Sequence, residues 1–325
     1  MAPAFKGFAC HTAGASCHNA QMEKATTIWM DGEMVAWDDA QVHFLTHALH
    51  YGTAVFEGIR AYQTPDGTAI FRLREHIERL ARSAAAYGIP WSYQVDEIME
   101  ACRQVLRENG LEAGYIRPLV FYELGSIGLN PASAKVRTGI AAWEWGAYLG
   151  EEGIRNGIRV RISSWRRISG DSFIPIAKGS GQYLNSVLAK QEAVATGYDE
   201  ALMLNSDGNV SEGSGENLFL ARNGILYTPP VAAGILDGIT RASVIDLLTD
   251  DGVDVREANL TRGDLYAADE LFLTGTAAEV TPIREVDDRP IGTGKPGPLT
   301  RQAQSLYADA VSGKLESRRA WLDYI

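Results

Sequence analysis

Cysteine is scarce. Cys10, Cys17 and Cys102 are all that 325 residues contain, which argues against a disulfide-stapled scaffold and for a reducing, cytoplasmic compartment. Long apolar runs are missing too: no stretch reaches the roughly 18 residues of a membrane span, and residues 1–21 show no apolar core of a secretory signal. Positive charge is in deficit, with 30 Lys and Arg against 41 Asp and Glu for a formal charge of −11. Such a field disfavours nucleic acid and acidic lipid as partners, so an anionic small molecule has to be gripped by local arginines. Internal repeats and low-complexity tracts are also lacking.

What is present is an ordinary globular composition, 46% hydrophobic and 22% charged, in a chain long enough for two cores. The expected division is an extension at 1–21, a small unit at 22–147, a linker at 148–153 and a larger unit at 154–325. Met22 is an alternative start. Cys10 and Cys17 neighbour His11 and His18, but their spacing matches no zinc module and no metal is expected. Strands are expected at Thr27–Met30, Ala69–Phe71, Ile158–Ile162 and Ala201–Leu204. Helices are expected at Arg74–Ala81, Val95–Leu106 (with Cys102 in its core) and Tyr183–Gln191. Asp207-Gly208 and Asn223-Gly224 mark hairpin turns.

Chemistry is concentrated in the second half. Lys178 ends the apolar run Ile174–Ala177 and is followed by Gly179-Ser180-Gly181, where a bulky ring can approach the backbone. Burial disfavours an ammonium and exposes the lone pair an amine needs to attack an aldehyde; taken alone, the segment is a solvated loop. Val210–Phe219 carries Glu212 and Glu216, either of which can hold a pyridine nitrogen protonated. In one continuous strand both point to the same face, so periodicity does not choose between them. Leu236–Arg241 opens a helical stretch whose free amides and Thr240 hydroxyl suit a phosphate. Glu270–Thr274 reads as a buried strand entering the turn Gly275–Ala278, which can present Thr276 to a second anion. Together these are the parts a pyridoxal phosphate site requires.

Lys178 in its Ala-Lys-Gly setting, Ser211–Phe219, Gly238–Arg241 and Gly275–Glu279 resemble the motifs of class IV aminotransferases. His50–Arg60, Tyr115–Leu119 and Trp143–Gly150 narrow the resemblance to the branched-chain amino acid aminotransferases, from about Thr27 to the C-terminus. The resemblance implies an α/β (α+β) protein of fold type IV: a small α/β N-terminal domain, a larger C-terminal domain with a barrel-like sheet, and pyridoxal 5'-phosphate between them. The linker with Trp145 and Tyr148 would be a lid, and the minimal unit a homodimer. The implied reaction moves the amino group of leucine, isoleucine or valine to 2-oxoglutarate, giving glutamate. Lys178 is the implied catalytic residue, Glu212 the partner of the pyridine nitrogen and Tyr183 that of the ring oxygen. Arg79, Ile239, Thr240 and Thr276 are implied at the phosphate, and Leu236 on the ring face. Without the family, Arg79 is a surface ion pair with Glu75.

Phe56, Tyr51, Trp145 and Tyr148 are implied as the apolar wall of the substrate pocket. Thr276, Ala277 and Tyr115 are implied at the α-carboxylate, and Arg117, helped by Arg60, at the distal carboxylate. Glu57 or solvent is expected to satisfy these arginines without substrate. The loop Phe121–Pro131 is where members of the family differ. A D-amino acid aminotransferase and an aminodeoxychorismate lyase share the expected fold, but the Phe56–Arg60 and Tyr115–Arg117 segments argue against both. Retention of Lys178, Glu212 and the phosphate segments argues against a non-catalytic binding protein.

Overall fold

The computed structural model describes residues 25–125, 127–146 and 148–325. Cys10, Cys17, Met22 and the 1–21 extension lie outside the described residues, as do Ser126 in the 121–131 loop and Ala147 in the linker region.

Two sheets organise the chain. In the first, strands run in the order Leu322–Tyr324, Gly67–Phe71, Ile59–Thr64, Gly114–Tyr122, Val136–Trp143, Thr27–Met30 and Glu33–Ala36, and Ala54–Phe56 also pairs with Gly114–Tyr122. The last strand of the chain therefore leaves the 154–325 unit and joins the sheet of the first. One face is covered by helix Leu73–Ala86, whose Leu73, His76, Ile77, Leu80 and Ala84 form a buried stripe at helical spacing. Helix Val95–Glu108 packs beside it. A capping box of Gln94 and Glu97 starts that helix, and Ile98, Met99, Cys102, Val105 and Leu106 are its buried side chains.

The second sheet is mixed and curls into a half barrel, in the order Val210–Gly213, Glu200–Leu204, Ile158–Ile162, Glu279–Val286, Glu270–Gly275, Asn217–Arg222, Ile225–Thr228 and Val255–Glu257. Its central strands are buried on both faces, which explains their unbroken apolar runs. Helix Tyr183–Ala195 supplies the crossover between the parallel strands Ile158–Ile162 and Glu200–Leu204. The face bearing Phe219 and Phe272, stacked with centroids 5.0 Å apart, is covered by helices Ile239–Asp250 and Pro298–Val311.

The sheets meet at the lysine. Val55 forms an antiparallel bridge with Gly179, the Phe56 amide donates to the Lys178 carbonyl at 3.1 Å, and the Ser180 amide donates to the Ala54 carbonyl at 2.8 Å. The Lys178 amide donates to Ser83 Oγ at 3.0 Å. These contacts fix the lysine backbone between the two units before its side chain does anything. The glycines behind it serve this junction: a Cβ on Gly179 would stand 2.7 Å from the Tyr87 ring. The bulky ring that approaches the backbone here is therefore Tyr87, at the end of helix Leu73–Ala86.

Candidate active site

Lys178 Nζ donates to Tyr183 Oη at 2.6 Å and stands 5.0 Å from the centroid of the Phe56 ring. Its cavity is also lined by Arg79, Glu212, Leu236, Ile239, Thr240 and Thr276. Every residue expected at the cofactor therefore lines one cavity. Arg167, Ser214, Gly215, Glu216, Asn217, Gly238, Thr274 and Gly275 complete the lining.

The two glutamates of Val210–Phe219 are told apart by a break in the backbone. Val210–Gly213 and Asn217–Arg222 are separate strands, and the Gly213 amide donates to the Glu216 carbonyl at 2.7 Å, so simple alternation does not apply between 212 and 216. Glu212 Oε1 is 2.8 Å from Arg167 Nη2, both side chains being buried. Glu212 Oε2 accepts from Asn217 Nδ2 and from the Leu236 amide, each at 3.0 Å. Burial raises the Glu212 carboxyl, opposed by the Arg167 charge, the Leu236 amide and Lys178. With a guanidinium and two N–H donors on it, Glu212 is built to be a carboxylate.

Glu216 is built the other way. It is buried beside Glu200, whose carboxylate is already taken by Lys190 Nζ at 2.6 Å and Ser214 Oγ at 2.6 Å. Burial and the Glu200 charge push the Glu216 carboxyl up to about 8, so it carries its proton at neutral pH. The native state then binds more protons than the unfolded chain between the ordinary carboxylate range and about pH 8, and stability falls as pH rises through that window. Glu216→Gln removes this loss. The Tm of the variant relative to the unsubstituted protein should therefore rise from about pH 5 to about pH 8, and a difference independent of pH would show that Glu216 is not a buried neutral acid.

Arg79 is not a surface residue. Its Nε and Nη2 donate to Glu57 Oε1 and Oε2 at 2.6 and 2.9 Å, and Nη1 donates to the Asp237 carbonyl at 2.9 Å. Glu75 pairs with Arg72 instead. His76 Nδ1 lies 2.8 Å from Glu57 Oε2. Although burial acts to raise it, the Arg79 and His76 interactions hold the Glu57 carboxyl well below the usual range, while burial lowers His76; a neutral imidazole donating through Nδ1 satisfies both. Glu57 is thus the partner of Arg79, contrary to the expectation that it satisfies Arg117 or Arg60: Glu57 lies just beyond strand Ala54–Phe56 and meets the helix, not the sheet. Helix Ile239–Asp250 opens beside Arg79, and the Ala242 amide donates to the Gly238 carbonyl at its start. Free amides at such a helix start, with Arg79 and the hydroxyl-bearing Thr240 and Thr276 lining the same cavity, are a cup of donors that would suit an anion.

Aromatic residues extend from the lysine towards the linker. Phe56 packs edge-on to Tyr183 at 4.9 Å, Tyr115 to Trp145 at 4.5 Å and Trp145 to Tyr148 at 5.7 Å. The Arg117 guanidinium lies over Phe56, Tyr115 and Trp143 at 4.9, 5.3 and 5.9 Å, and its Nη2 is 3.4 Å from Tyr115 Oη. Its Nε is buried with no hydrogen-bond partner among the described residues. Gly58 is required by this arrangement, since a Cβ there would sit 1.8 Å from the Tyr115 hydroxyl. Arg60 Nη1 faces Glu279 Oε1 at 3.4 Å and the Ala277 carbonyl at 3.5 Å, and its Nη2 donates to the Trp145 carbonyl at 3.3 Å. Tyr51 stands apart. It lines a second cavity of about 270 Å³ with Tyr87, Tyr122, Phe173 and Gly181, and its hydroxyl donates to the Ile127 carbonyl at 2.7 Å.

Arg167 is a site residue that sequence reasoning misses. In Trp165-Arg166-Arg167 nothing in the pattern separates the buried Arg167 from its exposed neighbour Arg166. Asn217 falls within a recognisable motif, but only the break at 214–216 shows that its amide is aimed at Glu212.

Residues 54–286 match the family model described as amino-transferase class IV. The branched-chain-amino-acid aminotransferase of Pseudomonas aeruginosa is 53% identical over 294 residues, 90% of this chain and 95% of that protein. The crystal structure of the Escherichia coli branched-chain amino acid aminotransferase superimposes with a TM-score of 0.91 at 48% identity, covering 92% of this chain and 99% of that one. The branched-chain amino acid aminotransferase of Thermobaculum terrenum, solved in its PLP-form, gives a TM-score of 0.87 at 37% identity, covering 92% and 98%. A lysine amine, a clamped carboxylate and an anion cup in one cavity, together with these likenesses, lead to one conclusion: the chain belongs to the class IV aminotransferase family.

Proposed function

We propose that the chain transfers the amino group of L-leucine, L-isoleucine or L-valine reversibly to 2-oxoglutarate, giving the branched 2-oxo acid and L-glutamate, with pyridoxal 5'-phosphate as cofactor. The observation that carries this reading is Arg117: a guanidinium with an unpartnered buried Nε set in an aromatic wall. One pocket must take an isobutyl side chain and, in turn, a carboxylate. Apolar rings suit the first and an arginine with an unpartnered Nε the second.

The residues present fit pyridoxal phosphate. Arg79, Ile239, Thr240 and Thr276 would hold the phosphate, Leu236 would pack on the ring, Tyr183 would donate to the ring oxygen and Glu212 would meet the ring nitrogen. When bound, the cofactor supplies an aldehyde for the amino group and a ring that withdraws electrons from the substrate Cα. Lys178 Nζ, steadied by Tyr183, would take the proton from the substrate Cα and deliver it to the carbon that carried the aldehyde, and would run the same transfer backwards in the second half-reaction. Glu212, kept anionic by Arg167, holds a proton on the ring nitrogen. The 276–277 turn and Tyr115 take the α-carboxylate, and Trp145 and Tyr148 exclude water.

A homo-oligomer in the cytoplasm completes the proposal. Phe44, Leu49, Ile127 and Leu129 are 78%, 63%, 65% and 82% exposed, and the 127–128 backbone is tied to the helix His47–Tyr51 by Tyr51 and His47. A second copy would cover this apolar surface.

Purified protein given L-leucine and 2-oxoglutarate should yield glutamate and the branched oxo acid in equal amounts. Turnover of D-alanine, or pyruvate release from aminodeoxychorismate, in the absence of leucine activity would overturn the reading. Within it, Arg117→Leu should weaken the half-reaction with glutamate about a hundredfold more than that with leucine, the worth of a lost charge-assisted contact of roughly 2–3 kcal/mol. Single-turnover spectra report each half-reaction; equal losses would move the distal carboxylate away from Arg117.

A further inference from the structure

The hairpin joining Glu270–Gly275 to Glu279–Val286 closes on the pair Gly275 and Glu279, leaving Thr276, Ala277 and Ala278 as its loop. Glu279 has φ 51°. This left-handed position in a three-residue hairpin is one that glycine fills without strain; a glutamate there needs something to hold it. Its side chain is held. Glu279 Oε1 accepts from Tyr62 Oη at 3.0 Å and faces Arg60 Nη1 at 3.4 Å. Arg60 and Tyr62 lie two apart on strand Ile59–Thr64, so both reach the hairpin from one face of the first sheet. The same guanidinium also donates to the Ala277 carbonyl in the loop and the Trp145 carbonyl in the linker. Beyond Tyr62, the buried Tyr307 hydroxyl interacts with the hydroxyls of Tyr62 and Thr240, which continues the contact towards the anion cup.

We propose that Glu279 is a positioning residue: clamped by Tyr62 and Arg60, it sets the orientation of the 276–278 loop towards the substrate carboxylate, which it does not itself touch. The inference rests on the reading that this loop binds the α-carboxylate. Arg60 then acts as the tie between loop, linker and first sheet.

The test compares L-leucine with 3-methylbutylamine, which is leucine without its carboxylate, in single-turnover half-reactions of the holoenzyme. The unsubstituted protein should strongly prefer leucine. Glu279→Gly keeps the left-handed backbone comfortable and removes the clamp. With cofactor saturating, it should lower kcat/KM for leucine about tenfold through a misdirected loop and leave the amine rate unchanged. Tyr62→Phe, which removes only the hydroxyl, should show a smaller loss confined to leucine. Unchanged leucine kinetics in Glu279→Gly, or equal losses for leucine and the amine, would overturn the clamp while leaving the carboxylate reading intact. An unsubstituted protein that does not distinguish the two amines would instead remove the carboxylate reading, and the clamp with it.

Discussion

Lys178→Ala is expected to lower the turnover of leucine by about ten-thousand-fold, the upper range for loss of a positioned proton-transferring group. The side chain stands alone as the amine beside Phe56 and Tyr183 in the described cavity lining, whose other cations are the guanidinium groups of Arg79 and Arg167. A guanidinium does not give up its proton at physiological pH, so neither can take over. Methylamine added to the variant should restore part of the rate, because it returns a base to a site whose anion cup and clamped carboxylate are intact. Activity within about tenfold of the unsubstituted protein, or no response to added amine, would contradict the assignment. The backbone contacts of Lys178 to Phe56 and Ser83 do not depend on its side chain, so loss of folding is not expected.

Glu212→Gln is expected to lower turnover by roughly a hundredfold or more, since a neutral amide cannot stabilise the proton on the ring nitrogen. The substitution also leaves the Arg167 guanidinium buried without its counter-charge, a destabilising change by itself. Cofactor affinity and Tm must therefore be followed beside the rate, and the rate should fall much further than either. Glu216→Gln provides the contrast. Its carboxyl already carries a proton at neutral pH, so an amide changes its charge little and turnover should stay close to normal. Equal losses in the two variants would mean that Glu212 has been given the wrong role.

These outcomes separate what local pattern reveals from what needs the fold. Helix Leu73–Ala86 and strands such as Ile158–Ile162 are legible because a stripe or an unbroken apolar run records one environment over several residues. The cofactor residues are legible as a set because Lys178, Glu212, Thr240 and Thr276 each lie at the end of a recognisable element or in a turn between two. Charge partners are not legible. Glu57 and Arg79 are 22 positions apart, Arg167 and Glu212 lie on segments even further removed along the chain, and only tertiary packing decides that Glu57 meets a helix arginine instead of Arg117. Tyr51 is near Phe56 in sequence, but the chain turns at Gly52, with φ 66°, and Tyr51 lines the second cavity instead of the one at Lys178. Strand alternation fails at 212–216 because one reversal of the backbone cancels a period of two.

The central claim is that Lys178 is the amine that meets the cofactor aldehyde. Borohydride reduction of the purified holoenzyme, followed by proteolysis and mass spectrometry, tests it directly. The account predicts a pyridoxyl phosphate adduct on the peptide containing Lys178 and on no other; an adduct on Lys190 or another lysine, with Lys178 unmodified, would contradict it.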